Sequence, residues 1–278
     1  MENIRQAVER AKGRQESGPG PERQGRIGAS VPRRQTAPGL GGAHPSDASV
    51  PEIELDGAYL QARRIVSHDG KDPNSRSFDI LRTQVLRSMD LKGWRILAVT
   101  SPTPGCGKTL TALNLALSIA RQPERSVLVV DLDLRKPQVA AGLGLKREKG
   151  VLGVLEDQVA LTAAIMPVRV GGCRFDVLPT VASLHSSDLM TSSAMGTLLQ
   201  DIRSDSQSRI VILDLPPMLT GNEVIAILPQ VDCVLLVAAV GISAVSEIED
   251  CNKHLQSTDV VRFVLNKVPE SSANYYYY

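Results

Sequence analysis

One stretch, Thr100-Ser-Pro-Thr-Pro-Gly-Cys-Gly-Lys-Thr109, constrains this chain more than any other. It follows the apolar run Ile96-Leu-Ala-Val99 and leads into Leu110-Thr-Ala-Leu-Asn-Leu-Ala-Leu117, an order that reads as strand, turn and helix. Gly105 and Gly107 leave the backbone N–H groups of the turn open to an anion, and the helix behind adds the positive end of its dipole. Lys108 is then placed to reach the β- and γ-phosphates of a nucleotide, and Thr109 to ligate Mg²⁺. The nucleotide-binding set read from this loop is Thr103, Pro104, Gly105, Cys106, Gly107, Lys108, Thr109 and Leu110. Pro102 stands where the strict pattern carries glycine.

The rest of the chain suits that loop. From Trp94 onward, apolar runs at 95–100, 126–131, 175–178, 209–214, 232–240 and 262–266 alternate with helical patterns near 108–121, 188–203 and 243–256. Near-continuous apolar strands joined by amphipathic helices predict an α/β fold, a mostly parallel sheet with helices on both faces. A nucleotide then belongs at the carboxyl ends of the strands. Apolar residues at 78, 81, 85 and 89 mark a further helix.

Residues 1–51 are rich in Gly, Pro, Arg, Gln and Ser, a composition that buries too little apolar surface to fold, and read as a solvated tail. Residues 52–92 read as a docking arm and helix, 93–270 as the nucleotide-binding domain, and 271–278 as a C-terminal tail. Thirty-one Lys and Arg against thirty Asp and Glu give a net charge of +1, so bulk charge points to neither nucleic acid nor a membrane surface. Cys106, Cys173, Cys233 and Cys251 lack zinc-ligand spacing and read as reduced thiols, Cys106 being the one whose loop would favour oxidation. The start has no apolar signal core, and the longest apolar run is far short of the roughly 20 residues of a membrane span.

Two more strand ends carry carboxylates. Val127-Leu-Val-Val-Asp-Leu-Asp-Leu-Arg-Lys-Pro137 ends in Asp131 and Asp133, which strand alternation turns to one face; Ile210-Val-Ile-Leu-Asp-Leu-Pro-Pro217 ends in Asp214. Carboxylates on the rim that holds a phosphate loop can order Mg²⁺, and one can accept a proton from an attacking hydroxyl.

Together these three pieces resemble the bacterial tyrosine kinases, P-loop proteins of the deviant-Walker type that serve capsule and exopolysaccharide export. The block Val129-Val-Asp-Leu-Asp-Leu-Arg-Lys-Pro137 carries the resemblance, since the other two would also fit partitioning ATPases of the ParA and MinD kind. The resemblance implies ATP and Mg²⁺ as cofactors and Lys108, Asp131, Asp133 and Asp214 as catalytic residues. Asp131 would activate the tyrosine hydroxyl, while Thr109, Asp133 and Asp214 would hold the metal. Arg135 would touch the phosphates or a neighbouring subunit, and Asn266 would read the base. Tyr275, Tyr276, Tyr277 and Tyr278, four of the five tyrosines in the chain, match the family's C-terminal autophosphorylation cluster, and the short tail suits transfer in trans.

A separate transmembrane activator or polysaccharide co-polymerase, a homo-oligomer with a ring as one form of it, and an opposing protein tyrosine phosphatase are implied as partners, with no nucleic acid. The implied location is cytoplasmic, peripheral at the inner membrane through the partner. Arg76, Asp79 and Arg82 occupy the positions where the family places Glu-x-x-Arg-x-x-Arg for ring contacts, with the first two charges exchanged. The alternative function is a ParA/MinD-like ATPase switch that recruits a partner by nucleotide-dependent dimerisation, without kinase activity.

Overall fold

A computed structural model describes residues 51–205 and 209–268. The N-terminal tail up to residue 50 and the tyrosine cluster lie outside the described residues.

The apolar runs form strands β2 (Ile96–Thr100), β3 (Ser126–Asp131), β5 (Cys173–Leu178), β6 (Arg209–Asp214), β7 (Cys233–Ala239) and β8 (Val260–Asn266), parallel in the order β5-β3-β6-β2-β7-β8. Two strands escaped the sequence reading. Strand β4 (Met166–Val170) turns back through Gly171 to pair antiparallel with β5, and the two-residue β1 (Ile53–Glu54) extends that edge, pairing parallel with β4. Pro167 and Arg169 interrupt the apolar pattern of β4, so its strand character comes from its hairpin with β5.

Apolar clusters cover both faces of the sheet. On one face lie α2 (Ser75–Lys92), which buries Val85, Leu86 and Met89, and α3 (Lys108–Ala120), whose buried residues include Leu113, Leu115, Leu117 and Ile119. The segment before α2 includes α1 (Gly57–Ala62) and puts Leu55, Leu60 and Ile65 into the same cluster. The short helices α4 (Val139–Leu143), α5 (Gly150–Leu155) and α6 (Leu161–Ala164) lie between β3 and β4. The pattern at 188–203 becomes two helices, α7 (Ser186–Met190) and α8 (Ser193–Asp205). Ser192 makes the break: its hydroxyl donates to Leu189 O at 2.7 Å and accepts from Met195 N at 3.2 Å. Helices α9 (Glu223–Ile227) and α10 (Val245–His254) follow β6 and β7.

Asp79, one of the two exchanged charges on α2, acts within the chain. Asp79 accepts from Arg82 Nη1 at 3.1 Å, from Ser118 Oγ at 2.6 Å and from Arg121 Nη1 at 2.9 Å, which ties α2 to α3. No described helix is long and apolar enough to cross a membrane.

Candidate nucleotide and phosphoryl-transfer site

The loop between β2 and α3 lies at the carboxyl edge of the sheet. Gly105 and Gly107 take φ of +84° and +90°, where L side chains are strained. At Gly107 the constraint is also steric, because a Cβ there would stand 2.3 Å from Asn266 Nδ2. That amide donates to Cys106 O at 2.9 Å, so Asn266 braces the loop from the end of β8. Pro102 is not among the described residues with positive φ, so the backbone needs no glycine there. Cys106 is buried, its sulfur 3.2 Å from Thr103 O and 3.3 Å from Ser243 Oγ, and fills the space between the loop and the turn after β7. Thr103 and Leu110 are half-buried, while Pro104 and Gly105 are exposed at the tip of the loop.

Lys108 is drawn to the carboxylates. Its Nζ lies 2.9 Å from Asp133 Oδ2 and 3.5 Å from Asp214 Oδ1, and donates to Thr109 Oγ1 at 3.3 Å. Thr109 in turn donates to Asp214 Oδ2 at 2.6 Å. Asp131 takes three backbone amides, those of Asp133, Gln138 and Val139 at 3.0 to 3.2 Å, and so folds the turn that leads into α4. Asp133 Oδ1 accepts from Lys136 N at 3.0 Å, leaving its other oxygen on the lysine. Five residues singled out in the sequence thus meet in one cluster: a lysine and a threonine after β2, two carboxylates at the end of β3 and one at the end of β6.

All of these charges are buried. Asp131 and Asp214 have no exposed surface, and Asp133 has 4%. Burial opposes the charge of Lys108, yet Asp214 and Asp133 outweigh it and hold the lysine above its ordinary pKa. Burial, followed by the charge of Asp214, pushes Asp131 up to about 8. Burial also raises Asp214, against the pull of Lys108 and the hydrogen bond from Thr109.

When its three carboxylates are ionised around the one ammonium, this pocket carries excess negative charge and favours a phosphate chain that arrives with a cation. Asp214 Oδ1 supplies a fit test for Mg²⁺. It is buried, its nearest donor is Lys108 at the long distance of 3.5 Å, and it takes no other partner among the described residues. Thr109, Asp133 and Asp214 are hard oxygen donors of the kind Mg²⁺ uses beside substrate phosphates. The described residues contain no cluster of three or more His, Cys, Asp or Glu arranged as a metal cage.

Arg135 does not reach into this cluster. Its guanidinium pairs with Glu223 and donates to Thr220 O at 3.1 Å and Ser187 Oγ at 3.0 Å. Sequence reasoning missed Glu223, Ser187 and Thr220, since none belongs to a spaced motif.

The sequence pattern of the AAA domain family matches residues 94–261. EpsB of Ralstonia solanacearum, whose name assigns it to the tyrosine-protein kinases, is 31% identical over 224 residues, 80% of this chain and 29% of EpsB. The chain thus spans less than a third of that relative's length. The kinase domain of the Escherichia coli tyrosine kinase ETK is similar with a TM-score of 0.68 and 26% identity, over 83% of this chain and 94% of that domain. The septum site-determining protein MinD of Pyrococcus horikoshii, solved with Mg-ADP, shares the fold at a TM-score of 0.50 and 20% identity, over 64% of this chain and 75% of MinD.

Proposed function

Because the chain belongs to the AAA domain family and, within it, to the bacterial tyrosine kinases, we propose that it is an ATP-dependent tyrosine autokinase that phosphorylates Tyr275 to Tyr278 of a neighbouring copy. The observation that carries this reading is the single buried cluster of Lys108, Thr109, Asp133 and Asp214, with Asp131 beside it.

Phosphoryl transfer demands mainly positioning and charge neutralisation, and each residue has a task of that kind. The amides of the loop from Thr103 to Leu110 cradle the phosphates, and Lys108 neutralises them, its pKa held high by the neighbouring aspartates. Thr109, Asp133 and Asp214 would hold Mg²⁺, which would supply neutralisation of the charge on the transferring phosphoryl group. Asp131, its proton affinity raised by burial, accepts the tyrosine proton directly or through one water. Asn266 braces the loop from the side expected to face the base. Arg135 is assigned away from the phosphates, because Glu223 engages it.

In the cell this activity would regulate exopolysaccharide or capsule polymerisation and export. The chain would work at the cytoplasmic side of the inner membrane with a transmembrane activator, opposed by a phosphatase. Several phosphates on one tail, each adding nearly two negative charges, would drive neighbouring subunits apart.

The test is incubation with Mg²⁺ and ATP, with and without a candidate activator fragment, followed by intact mass and tail-peptide mapping. Phosphates confined to Tyr275 to Tyr278 are expected in the full chain, and none in Lys108→Met or in a chain ending at Asn274. A mixture of Lys108→Met with the active chain ending at Asn274 should label the inactive chain's tail; an unlabelled tail there refutes transfer in trans. ATP hydrolysis with no added mass would favour a MinD-like switch ATPase.

A further inference from the structure

We propose that Glu223 is a positioning residue for the loop carrying Asp131 and Asp133, acting through Arg135. Glu223 is at the start of α9, with its side chain 3% exposed. A carboxylate so buried needs a counterion, and Arg135 supplies it from the loop after β3. Ser187 Oγ, at the start of α7, donates to the same carboxylate at 2.7 Å and accepts from Arg135 Nη2 at 3.0 Å. Arg135 Nη1 closes the set on Thr220 O at 3.1 Å.

These groups come from the connections after β3, β5 and β6, which are neighbours in the sheet. The salt bridge and the two hydrogen bonds of Ser187 therefore tie together three strand-end segments at the rim of the site. Two backbone contacts run in parallel with it: Ser183 N donates to Leu134 O, and Leu132 N to Asp214 O, both at 2.9 Å. The clamp also dictates its neighbour in sequence. A Cβ at Gly221 would meet Glu223 Oε2 at 2.0 Å and Arg135 Nη2 at 3.1 Å, so that position has no room for a side chain while the pair is closed.

Arg135 lies two residues beyond Asp133. Fixing its guanidinium fixes the turn in which Asp131 holds the amides of Asp133, Gln138 and Val139, and so fixes where Asp133 meets Lys108. Glu223 touches neither nucleotide nor tyrosine in this scheme. Its contribution is geometry, and small displacements of a catalytic carboxylate are costly to rate.

The experiment has two arms, of which only the second rests on the kinase reading. The first follows amide hydrogen exchange of the full chain over residues 132–139. Glu223→Ala should speed exchange there by roughly tenfold or more, as expected when one partner of a buried pair is removed, while β2 keeps its protection. Glu223→Gln, which can still accept from Arg135 and Ser187, should recover most of that protection. Arg135→Ala together with Glu223→Ala should be no worse than the worse single change. Unchanged exchange in Glu223→Ala, or acceleration spread equally over the sheet, overturns the proposal.

The second arm measures tail phosphorylation, where Glu223→Ala should lower kcat by about ten- to a hundredfold and move the KM for ATP by less than about threefold. Equal losses in both constants would overturn positioning of the carboxylates. A wild-type chain that adds no phosphate overturns the kinase reading, and exchange over 132–139 still decides the clamp.

Discussion

Two acidic clusters in this chain each hold basic side chains, and their hydrogen bonding differs in kind. Asp79 receives donors from Arg82, Ser118 and Arg121, and its side chain keeps 26% of its surface in solvent. Asp131, Asp133 and Asp214 are buried with a single lysine among them, and Asp214 Oδ1 has only a long contact to it. The first cluster sets two guanidinium groups on one partly exposed carboxylate, so positive charge is in excess, and it joins two helices. The second is short of positive charge, and that shortage is what a metal-bearing nucleotide would relieve. Hydrogen bonding left incomplete at a buried carboxylate thus separates a site from a structural brace, although both look like acid–base clusters in sequence.

The contrast is sharpest in a substitution that should move activity and stability in opposite directions. Asp214→Asn removes a proposed metal donor and is expected to lower phosphorylation by about a hundredfold or more. The same change removes a buried, mutually repelled charge, so the nucleotide-free protein should melt higher at pH 8 than the wild type. Calorimetry beside a phosphorylation assay reads both. Lower melting together with full activity would mean that Asp214 is a brace like Asp79.

Next in size is a pH effect. The fold raises Asp131 from 3.8 to about 8, so between those values the folded chain binds more protons than the unfolded one. The stability this group contributes is therefore fully present below about pH 4 and is lost as pH rises through about 8. Chemical denaturation of nucleotide-free protein across that window should show stability falling with pH, and Asp131→Asn should flatten the slope. Mg-ADP should also flatten it in the wild type by supplying the missing positive charge. A slope unaltered in Asp131→Asn would assign the titration to another group.

The candidate-site half of this contrast was legible in the sequence. Lys108, Thr109, Asp131, Asp133 and Asp214 follow strand ends in short spaced motifs, and the parallel sheet gathers strand ends on one rim. The core strands were legible for the same reason, since burial on both faces writes continuous apolar runs. What the sequence hid depends on distant pairing. Glu223 and Ser187 lie 36 positions apart and meet only because β5, β3 and β6 are neighbours. Strand β4 exists through its hairpin with β5, and the break between α7 and α8 depends on one serine hydroxyl. The motif assigns Arg135 to the phosphates or a neighbouring subunit, whereas the carboxylate that engages it within the chain lies in a later segment.

The smallest effect belongs to Asp79, and it tests the other half. Asp79→Ala removes the acceptor shared by Arg82, Arg121 and Ser118, but both arginines are partly exposed and can be rehydrated. The cost should be about 1 to 3 kcal/mol of stability, with phosphorylation within about twofold of wild type. Sedimentation of the same variant separates a brace within the chain from a contact between chains. Unchanged assembly would keep the work of Asp79 inside the α2–α3 pair, as its intrachain bonds imply. A shift toward smaller species would mean that the exchanged charges also serve a subunit contact, and the brace and the interface would then share one carboxylate.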